Sequence, residues 1–522
     1  MKRKIGYRIG KKRFYREVNY IPVRYLVAMM LSICEIFAII GLVVLCCYYV
    51  PFFYTAAWIV EIVCVIHIAS SDENPDYNVP WLLVVLLLPI AGFMLYFMFY
   101  SRKLKRKYIR RLSAIWDDRA ISSDDAVMQR LFEVSEEAYG QARMLCRLAD
   151  SHLYENTKLT YYPLGERMLD DYLFDLRSAE AFIFIEYFLI EQGELWSSIL
   201  EILKEKAECG IPVCILYDDI GCMSTLPGDY AKKLSRYGIS AAPFARLRGN
   251  ADSEFNNRNH RKITVIDGKI GYTGGINLAD EYIGRIRRLG HWKDNAIRLE
   301  GAAVSELTSL FLLDFGITKG KPPLPKEVLF PKNDSFFGDG GYVIPFGDGP
   351  RPIYPRGTGK SVLYNLLASA RKYVYLTSPY LVLDSDLCRA IENTALRGVD
   401  VKIIVPHIPD KPLIFEITRS YFARLLAAGV RVYEYTPGFI HAKTFVCDDH
   451  YAVIGTINLD YRSLVHHFEN GVWMYDTHVV SEIREDLVET IGKSEEVLEE
   501  RLSVSLFRRM LRSVLRIFSP LL

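Results

Sequence analysis

The sequence predicts an α/β protein in which two similar α-β-α domains pack face to face, preceded by N-terminal transmembrane helices. Three observations predict this fold class. Apolar segments fill much of residues 1–110, strand and helix patterns then alternate in two successive copies, and each copy ends in the same spaced set of polar residues. Half of the 522 residues are hydrophobic and 24% are charged, which excludes a disordered or fibrous chain.

Five segments are expected along the chain. Residues 1–110 hold a basic N-terminal segment and the transmembrane helices, residues 111–320 form the first α/β domain, and residues 361–500 form the second. Prolines and glycines are concentrated between the two domains, so residues 321–360 are predicted to be a linker. Residues 501–522 are predicted to form a basic amphipathic helix.

Two apolar stretches are long enough to cross a bilayer. Residues 25–47 and 81–99 each supply about the 20 apolar residues that a crossing needs. Residues 52–69 are shorter and carry Glu61 and His67. Basic residues precede the first stretch and follow the last, and both flanks favour the cytoplasmic side, so an even number of crossings is expected. We predict two crossings with residues 52–69 at the interface; three crossings is the alternative.

Positive charge is confined to short segments. Residues 1–24 carry a net charge of +8, residues 101–112 carry +7 and residues 501–522 carry +5, whereas the whole chain carries only +2. The remaining residues are therefore net acidic. A nucleic-acid enzyme would be expected to surround its site with basic residues. This layout indicates anionic membrane lipids as partners and argues against nucleic acid.

The C-terminal segment has the pattern of an amphipathic helix. At 100° per residue, the apolar residues of 506–518 fill one half of the helix and four arginines fill the other. This pattern is typical of a helix in a lipid interface, with its arginines at anionic phosphates. The alternative is a helix docked on the core of the protein itself.

The region that follows the apolar segments contains one structural unit twice. Each copy has an apolar strand-like run, at residues 181–190 and 372–383, followed by a helical stretch and two further strands. The equivalent glycines Gly210 and Gly398, which begin corresponding strands, are 188 residues apart. Such alternation of strand and helix predicts a mainly parallel, buried sheet in each copy.

Each copy ends in the same constellation of polar residues. It reads His260-x-Lys262-x4-Asp267-x6-Gly274-Gly275-x-Asn277 at residues 260–277, and His441-x-Lys443-x4-Asp448-x6-Gly455-Thr456-x-Asn458 at residues 441–458. A His and a Lys two positions apart on a strand point to the same face. Recurrence at identical spacing in a duplicated unit indicates a shared function for the two sets.

These residue types suit a phosphodiester. Such a tetrahedral anion needs donors for its non-bridging oxygens, one nucleophile and one proton donor, and the two histidines, lysines and asparagines together supply all of these without a metal or a cofactor. The glycines and Thr456 are expected to let the backbone approach the anion. Asp267 and Asp448 are expected to brace the turn that follows each motif strand.

Both motifs resemble the HxKxxxxD signature of the phospholipase D superfamily. The whole chain, with its apolar N-terminus, is similar to the bacterial cardiolipin synthases. The segments that add to this resemblance are IEY at 185–187, WKD at 292–294, SPY at 378–380, NLDYRS at 458–463 and FE at 468–469. The resemblance implies phospholipase D-like domains that carry out a double displacement through a phosphatidyl-histidine.

The resemblance also implies roles for individual residues. The family assigns the nucleophile to the first motif, which gives attack to His260 and acid–base catalysis to His441, although the duplicated motifs alone leave this symmetry unbroken. Lys262, Lys443, Asn277 and Asn458 would hold the phosphoryl oxygens. In the family, a carboxylate about 28 residues beyond the motif histidine orients it; Glu469 lies 28 residues after His441, and Asp294 lies 34 residues after His260. His466 and His467 are expected to occupy a loop.

The reaction implied by the resemblance joins two phosphatidylglycerols into cardiolipin and releases glycerol. The expected location is the bacterial cytoplasmic (inner) membrane, with a multi-pass anchor and the catalytic domains on the cytoplasmic side. A phospholipase D-type hydrolase, or a transferase that uses another alcohol, is the alternative. The acidic domains disfavour a nuclease, and the two intact motifs disfavour a non-catalytic scaffold. Monomer and homo-oligomer both stay open.

A further segment resembles a nucleotide-binding motif only in part. Residues 356–361, RGTGKS, resemble half of a phosphate-binding P-loop, but the position that would need its first glycine is Tyr354. Binding of ATP is therefore not predicted.

Overall fold

The computed structural model describes residues 2–9, 12–19, 52–71, 73–88, 90–100, 125–246, 256–320, 324–332, 337–338, 340–351, 353–354 and 357–521, with scattered positions between 29 and 49. Near the N-terminus, β1 (Lys2–Ile9) and β2 (Lys12–Asn19) pair as an antiparallel hairpin. The predicted crossing at residues 25–47 lies outside the described residues apart from those scattered positions.

Three short helices follow, α1 (Phe53–Ala69), α2 (Pro75–Leu87) and α3 (Ala91–Phe99). The prediction of one continuous crossing over residues 81–99 is therefore wrong, because α2 ends at Leu87. Proline restricts the residue before it to extended backbone, and Leu88, which precedes Pro89, has φ −121° and ψ 73°. In the part of the chain that the structure describes, no helix combines the length and apolar character that a bilayer crossing requires.

Two further helices, α4 (Asp125–Val134) and α5 (Glu136–Ala149), begin the globular region. The Ser135 side chain caps α5 by accepting a hydrogen bond from the Ala138 N–H at 3.1 Å. Although they precede the first domain in sequence, their buried faces belong to the core of the second domain, where Gln141 donates to Ser369. This placement differs from the predicted domain boundary at residue 111.

The first domain is built on a seven-stranded sheet, as far as the described residues go, in the order β3-β10-β8-β7-β4-β5-β6. Its strands are β3 (Thr157–Tyr162), β4 (Ile183–Tyr187), β5 (Val213–Asp218), β6 (Ser240–Phe244), β7 (Lys262–Ile266), β8 (Ile270–Gly274) and β10 (Ala296–Gly301). Its helices are α6 (Gly165–Ser178), α7 (Glu194–Glu208), α8 (Tyr230–Ser235), α9 (Val304–Thr318) and α10 (Lys326–Leu329).

The second domain repeats this plan with the described strand order β11-β18-β17-β16-β12-β13-β14-β19. Its strands are β11 (Tyr342–Asp348), β12 (Tyr373–Thr377), β13 (Asp400–Pro406), β14 (Arg431–Tyr435), β16 (Thr444–Cys447), β17 (Tyr451–Gly455), β18 (Glu469–Tyr475) and β19 (Ser494–Glu496). Its helices are α11 (Thr358–Ser369), α12 (Ser385–Leu396), α13 (Pro412–Ala427) and α14 (Val479–Gly492), and α15 (Leu506–Phe518) ends the chain. The predicted linker thus contains strand β11.

Both sheets are mixed, whereas the sequence predicted mainly parallel sheets. Only β4-β5-β6 and β12-β13-β14 run parallel within the two described sheets. The difference arises at the motif strands, each of which turns straight back: Ile266 pairs with Ile270 and Cys447 with Tyr451, so each hairpin loop has three residues. Asp267 and Gly268 have φ of 55° and 65°, and Asp448 and Asp449 have φ of 53° and 66°. Two successive residues at positive φ are typical of the type I′ turn that joins antiparallel strands.

The two sheets share one apolar core, which places the domains face to face as predicted. Its buried members include Phe184, Val265 and Ile297 from the first domain, and Val446, Ile454 and Val472 from the second. Two short strands, β9 (His291–Lys293) and β15 (Gly438–Ile440), pair in parallel across the junction. The backbone of each domain is therefore hydrogen-bonded to the other beside the motif histidines.

Candidate active site

The two motif histidines lie where the domains meet. His260 precedes β7 and donates its backbone N–H to the carbonyl of Phe468 at 2.8 Å, and His441 donates its backbone N–H to the carbonyl of Lys293 at 2.7 Å. Phe468 and Lys293 immediately precede the carboxylate residues Glu469 and Asp294. This pairing therefore brings the carboxylate of each domain to the histidine of the other.

The side chains complete this exchange. His260 Nδ1 lies 2.9 Å from Glu469 Oε2, and His441 Nδ1 lies 2.6 Å from Asp294 Oδ2. The expectation that each carboxylate orients the histidine of its own half is wrong. The backbone of each motif histidine pairs with the residue that precedes the carboxylate of the opposite domain. The unequal spacings of 28 and 34 residues are thereby explained, since neither spacing joins a histidine to its partner.

The carboxylates fix which imidazole nitrogen is available for chemistry. A neutral imidazole that donates Nδ1–H to a carboxylate has its lone pair on Nε2. Glu469 is itself held by the Ser463 hydroxyl at 2.6 Å and by the Thr456 hydroxyl. Asp294 accepts the backbone N–H of Asn295 at 2.9 Å. Both histidines are thus held with Nε2 as the nitrogen able to attack or accept a proton.

Burial sets the charge of the pocket. It lowers the pKa of His260 to about 3, with Glu469 offsetting part of the effect, and lowers that of His441 to about 4, with Lys443 adding to the shift. Burial and the charge of Lys443 lower the pKa of Lys262 to about 7, and burial lowers that of Lys443 to about 8. Because the two lysines and both carboxylates act on one another, the four groups share one electrostatic environment. At neutral pH the imidazoles are uncharged and the lysines are close to titration.

We expect kcat/KM for an anionic phosphodiester to fall as pH rises through about 7 to 8. Lys262 and Lys443 are cationic below this range and lose their protons above it, in the order of their pKa values of about 7 and 8. A bound phosphate anion favours the protonated lysines, so the same decline in kcat should occur at higher pH. The measurement is a pair of pH profiles with a soluble short-chain phosphodiester. A decline at the same pH in both profiles would contradict the assignment.

Both motif lysines lie beside the motif histidines, and Asn277 contacts Tyr282, whose ring centre lies 5.6 Å from that of His441. Lys262 Nζ donates to the carbonyl of His260 at 2.8 Å, and Lys443 Nζ lies 2.7 Å from His441 Nδ1. Asn277 Nδ2 donates to the Tyr282 hydroxyl at 2.8 Å. The Asn458 Oδ1 is buried without a hydrogen-bond partner among the described residues. These amide and ammonium groups are the candidate donors to a phosphoryl oxygen.

Asp267 and Asp448 stand apart from the histidines. Asp267 accepts the backbone N–H groups of residues 180–182 at 2.7–2.8 Å, and Asp448 accepts those of residues 371–373 at 2.6–2.8 Å. Each aspartate therefore ties a motif hairpin to the start of the adjacent central strand. This contact is structural and does not involve phosphorus.

The motif glycines are needed because a side chain would not fit at their positions. The N–H of Gly275 is donated to the carbonyl of Asn295 and that of Thr456 to the carbonyl of Asn470, both at 2.9 Å, so these two N–H groups are already paired within the protein. A Cβ on Gly274 would lie 2.4 Å from the Asn295 carbonyl, and one on Gly455 would lie 2.3 Å from the Asn470 carbonyl. Both glycines permit close approach of the strand that leads from the carboxylate.

We expect Gly275→Ala to reduce activity strongly without unfolding the protein. A Cβ at this position would lie 1.9 Å from Asp294 Oδ1, so the carboxylate must move and lose its contact with His441. The loss should be roughly 100-fold in kcat, the size typical for misplacement of a group that orients a catalytic histidine. Gly140→Ala is the matched control, because nothing lies within 4 Å of a Cβ there. Equal activity of the two variants would refute the steric argument.

His467, for which only a loop position was predicted, lies beside His260. The two ring centroids are 5.7 Å apart, and His467 Nδ1 is 3.6 Å from Glu469 Oε1. The position two residues before the carboxylate is Trp292 in the first domain, and its ring lies 5.8 Å from His441. Alignment of the two halves on their carboxylates would have located both residues.

Three side chains of the pocket could together hold a metal ion. His260, His467 and Glu469 each offer one ligand atom within 4.8 Å of the others. A metal bound there would compete for the imidazole that the phosphodiester chemistry needs, while the lysines already supply positive charge. We therefore expect full activity after exhaustive chelation and dialysis, measured as product formation with and without added divalent cations. Loss of activity that Mn²⁺ or Zn²⁺ restores would contradict this prediction.

The sequence of the chain matches known protein families and relatives. Residues 363–491 match the family described as cardiolipin synthase, PLD-like domain, and residues 59–99 match the family described as phospholipase D-nuclease N-terminal. A cardiolipin synthase of Halalkalibacterium halodurans is 34% identical over 460 residues, covering 87% of this chain and 90% of that protein. Cardiolipin synthase 1 of Staphylococcus aureus is 33% identical over 454 residues, covering 84% and 89%.

Two further similarities extend these matches. An uncharacterised protein of Streptococcus mutans is 40% identical over 465 residues, covering 88% of this chain and 99% of that protein. Among solved structures, a phosphatidylserine synthase of Haemophilus influenzae has a TM-score of 0.56 at 15% identity, covering 73% of this chain and 98% of that chain. At this level of identity the likeness shows a shared fold.

Proposed function

Since the chain belongs to the cardiolipin synthase family of the phospholipase D superfamily, we propose that it transfers a phosphatidyl group from one phosphatidylglycerol to another. The products are cardiolipin and glycerol. The observation that carries this proposal is the pair of buried histidines, each held at Nδ1 by a carboxylate of the opposite domain. Such a pair supplies one nucleophile and one acid–base group to a single phosphorus.

The reaction has two displacements. The bound anionic phosphodiester favours the form of His441 that carries a proton on Nε2 as well as on Nδ1. His260 Nε2 attacks phosphorus, the bond to the glycerol oxygen breaks, and His441 gives that oxygen its Nε2 proton. His441 then takes the proton from a hydroxyl of the second phosphatidylglycerol, whose oxygen attacks phosphorus and releases His260. Lys262 and Lys443, with Asn277 and Asn458, stabilise the charge on the non-bridging oxygens.

A lipid substrate requires that the site work beside a membrane. The apolar residues 25–47 and the basic segments 1–24 and 101–112 support attachment to the bacterial cytoplasmic membrane, with the catalytic domains on the cytoplasmic side. The start of α2 is tied to the second domain, where Asn74 Nδ2 donates to Asp384 Oδ2 at 2.9 Å. This contact would hold the catalytic domains close to the bilayer surface.

The decisive experiment gives the purified protein phosphatidylglycerol labelled separately in its acyl chains and its terminal glycerol. Labelled cardiolipin with free glycerol is expected. Phosphatidic acid with free glycerol, and no cardiolipin, would refute transfer to a second lipid and indicate a hydrolase. An ester of another added alcohol as the preferred product would refute the choice of acceptor. The control is the same protein with both His260 and His441 replaced by alanine.

A further inference from the structure

The C-terminal helix α15 packs on the protein through its charged side. Arg508 Nε lies 3.0 Å and Arg512 Nε lies 2.9 Å from Glu416 Oε2 on helix α13. Arg516 places its guanidinium 6.0 Å from the ring centre of Tyr421, one turn further along α13. The two arginines lower the pKa of Glu416 to about 2, with Arg508 contributing most. The side of α15 that contacts the second domain therefore carries Arg508 and Arg512, with Leu515 packed against the core beside them.

The apolar side of the same helix points away from the protein. The exposed fractions are 71% for Leu506, 78% for Phe507, 61% for Met510 and 51% for Val514. A surface helix of a soluble domain normally has the opposite orientation, with its apolar face buried and its charges in water. The alternative considered from the sequence, a helix that buries its apolar face in the protein core, does not describe this packing.

The segment that follows α15 packs against the N-terminal helices. Ser519 and Pro520 are buried at the end of α15, and Leu521 packs against the apolar cluster of α1, α2 and α3. Helix α1 exposes its own large apolar side chains, among them Trp58, Ile59 and Ile66. The C-terminal helix and α1 therefore both expose large apolar side chains, and residues 519–521 connect the C-terminal helix to the N-terminal helices.

The positive charge of residues 501–522 indicates what binds the exposed apolar face of α15. Residues 501–522 contain five arginines and no acidic residue, and anionic phospholipid headgroups attract such a segment. A second copy of the chain would bring the same basic segment against itself, because a twofold contact pairs identical surfaces. Like charges would then oppose that association, whereas an anionic bilayer accepts the apolar face and attracts the net positive charge that the segment keeps after pairing with Glu416.

We propose that α15 lies in the interface of an anionic lipid bilayer, with its apolar face among the acyl chains, and that Glu416 clamps its arginine face to the catalytic domain. The clamp gives α15 a second role, since it fixes the height and tilt of the second domain above the membrane. The proposal concerns membrane contact and stands whichever alcohol the enzyme uses as acceptor.

Photo-crosslinking of the full-length protein tests the bilayer contact. Phe507→p-benzoylphenylalanine is compared with Phe174→p-benzoylphenylalanine, since Phe174 is a phenylalanine of similar exposure, 70%, on helix α6 of the first domain. In vesicles that contain phosphatidylglycerol, we expect phospholipid adducts at position 507 and none at position 174. An adduct at position 507 with a second copy of the chain, or no lipid adduct there, would overturn the proposal.

A charge reversal tests the clamp. Glu416→Arg places three cations together and should release α15 from α13, whereas Glu485→Arg changes an exposed acid on α14 by the same charge. We expect Glu416→Arg to lower activity on phosphatidylglycerol vesicles about fivefold or more, because the catalytic domain is then no longer held at a fixed position on the bilayer. Activity on soluble short-chain phosphatidylglycerol should match that of Glu485→Arg. An equal loss on both substrates would refute the clamp and leave the proposed reaction unaffected.

Discussion

Replacement of His260 by alanine should abolish turnover of phosphatidylglycerol, with a loss of roughly 10⁴-fold to 10⁶-fold in kcat. The variant lacks the nitrogen that forms the bond to phosphorus, and a water molecule in the vacated space cannot form the same intermediate. Glu469 would lose its imidazole partner, but it keeps the hydroxyl groups of Ser463 and Thr456. The fold should therefore survive, and the loss should be measured as cardiolipin formed by folded protein.

The control for this variant is another histidine that is paired with a carboxylate. His450 lies on the surface with its Nδ1 2.6 Å from Asp476 Oδ1, so His450→Ala removes the same kind of pair outside the pocket. Its activity should remain within about twofold of the parent protein, as is usual for surface substitutions. Turnover of His260→Ala at even a few per cent of the parent rate would remove the nucleophile from this position.

The motifs and the repeat could be predicted because both depend on patterns of residues that are close together in the sequence. Alternating strands and helices gave two equivalent domains, and the recurring spacing gave His260 and His441 as corresponding residues. The hairpin after the first motif strand also has a local signal, since Asp267-Gly268 is a dipeptide typical of a type I′ turn, whereas the second hairpin has Asp448-Asp449. The mixed character of the sheets follows from that turn and was available from the sequence.

The carboxylate partners could not be obtained in this way. A spacing along the chain describes neighbours within one domain, whereas Glu469 and Asp294 reach across the domain junction. Their placement depends on the backbone bonds from His260 to Phe468 and from His441 to Lys293, which form only when the two sheets pack. The same limit applies to α4 and α5, whose apolar faces match the second domain although they precede the first.

The break in the apolar N-terminal segment has a local signal that a hydropathy average does not detect. Residues 81–99 are apolar throughout, but Pro89 interrupts them, and a proline inside a helical pattern commonly ends the helix just before it. Gly92 then lets α3 fold back, because a Cβ there would lie 2.3 Å from the Val84 carbonyl. Hydropathy measures how apolar a segment is and carries no information about such a break.

The pocket is not symmetric, although its two motifs are. On the side of His260, Glu469 receives two hydroxyl groups and His467 lies beside the ring. On the side of His441, Asp294 has a glycine next to it, and Lys443 Nζ lies 2.7 Å from the imidazole nitrogen. The two histidines therefore occupy different electrostatic surroundings, and substitution of each should have a different kinetic signature.

His441→Ala should lose roughly 10³-fold to 10⁴-fold of kcat on phosphatidylglycerol, because the departing glycerol oxygen has no proton donor. A phosphodiester with a nitrophenolate leaving group needs no such donor. On that substrate we expect His441→Ala to release a rapid burst of one nitrophenolate per active site and then to stall. The second displacement also requires His441, this time as the base that activates the acceptor, so the phosphatidyl group should remain on His260.

The burst assigns the two roles because each variant stops the reaction at a different bond. His260→Ala on the same activated substrate should give no burst, since the nitrogen that displaces nitrophenolate is absent. Mass spectrometry of the stalled His441→Ala protein should locate the added phosphatidyl group on the peptide that contains His260. A burst in His260→Ala, with the group on the peptide that contains His441, would reverse the assignment, and the contacts of Glu469 would then orient the acid–base histidine instead.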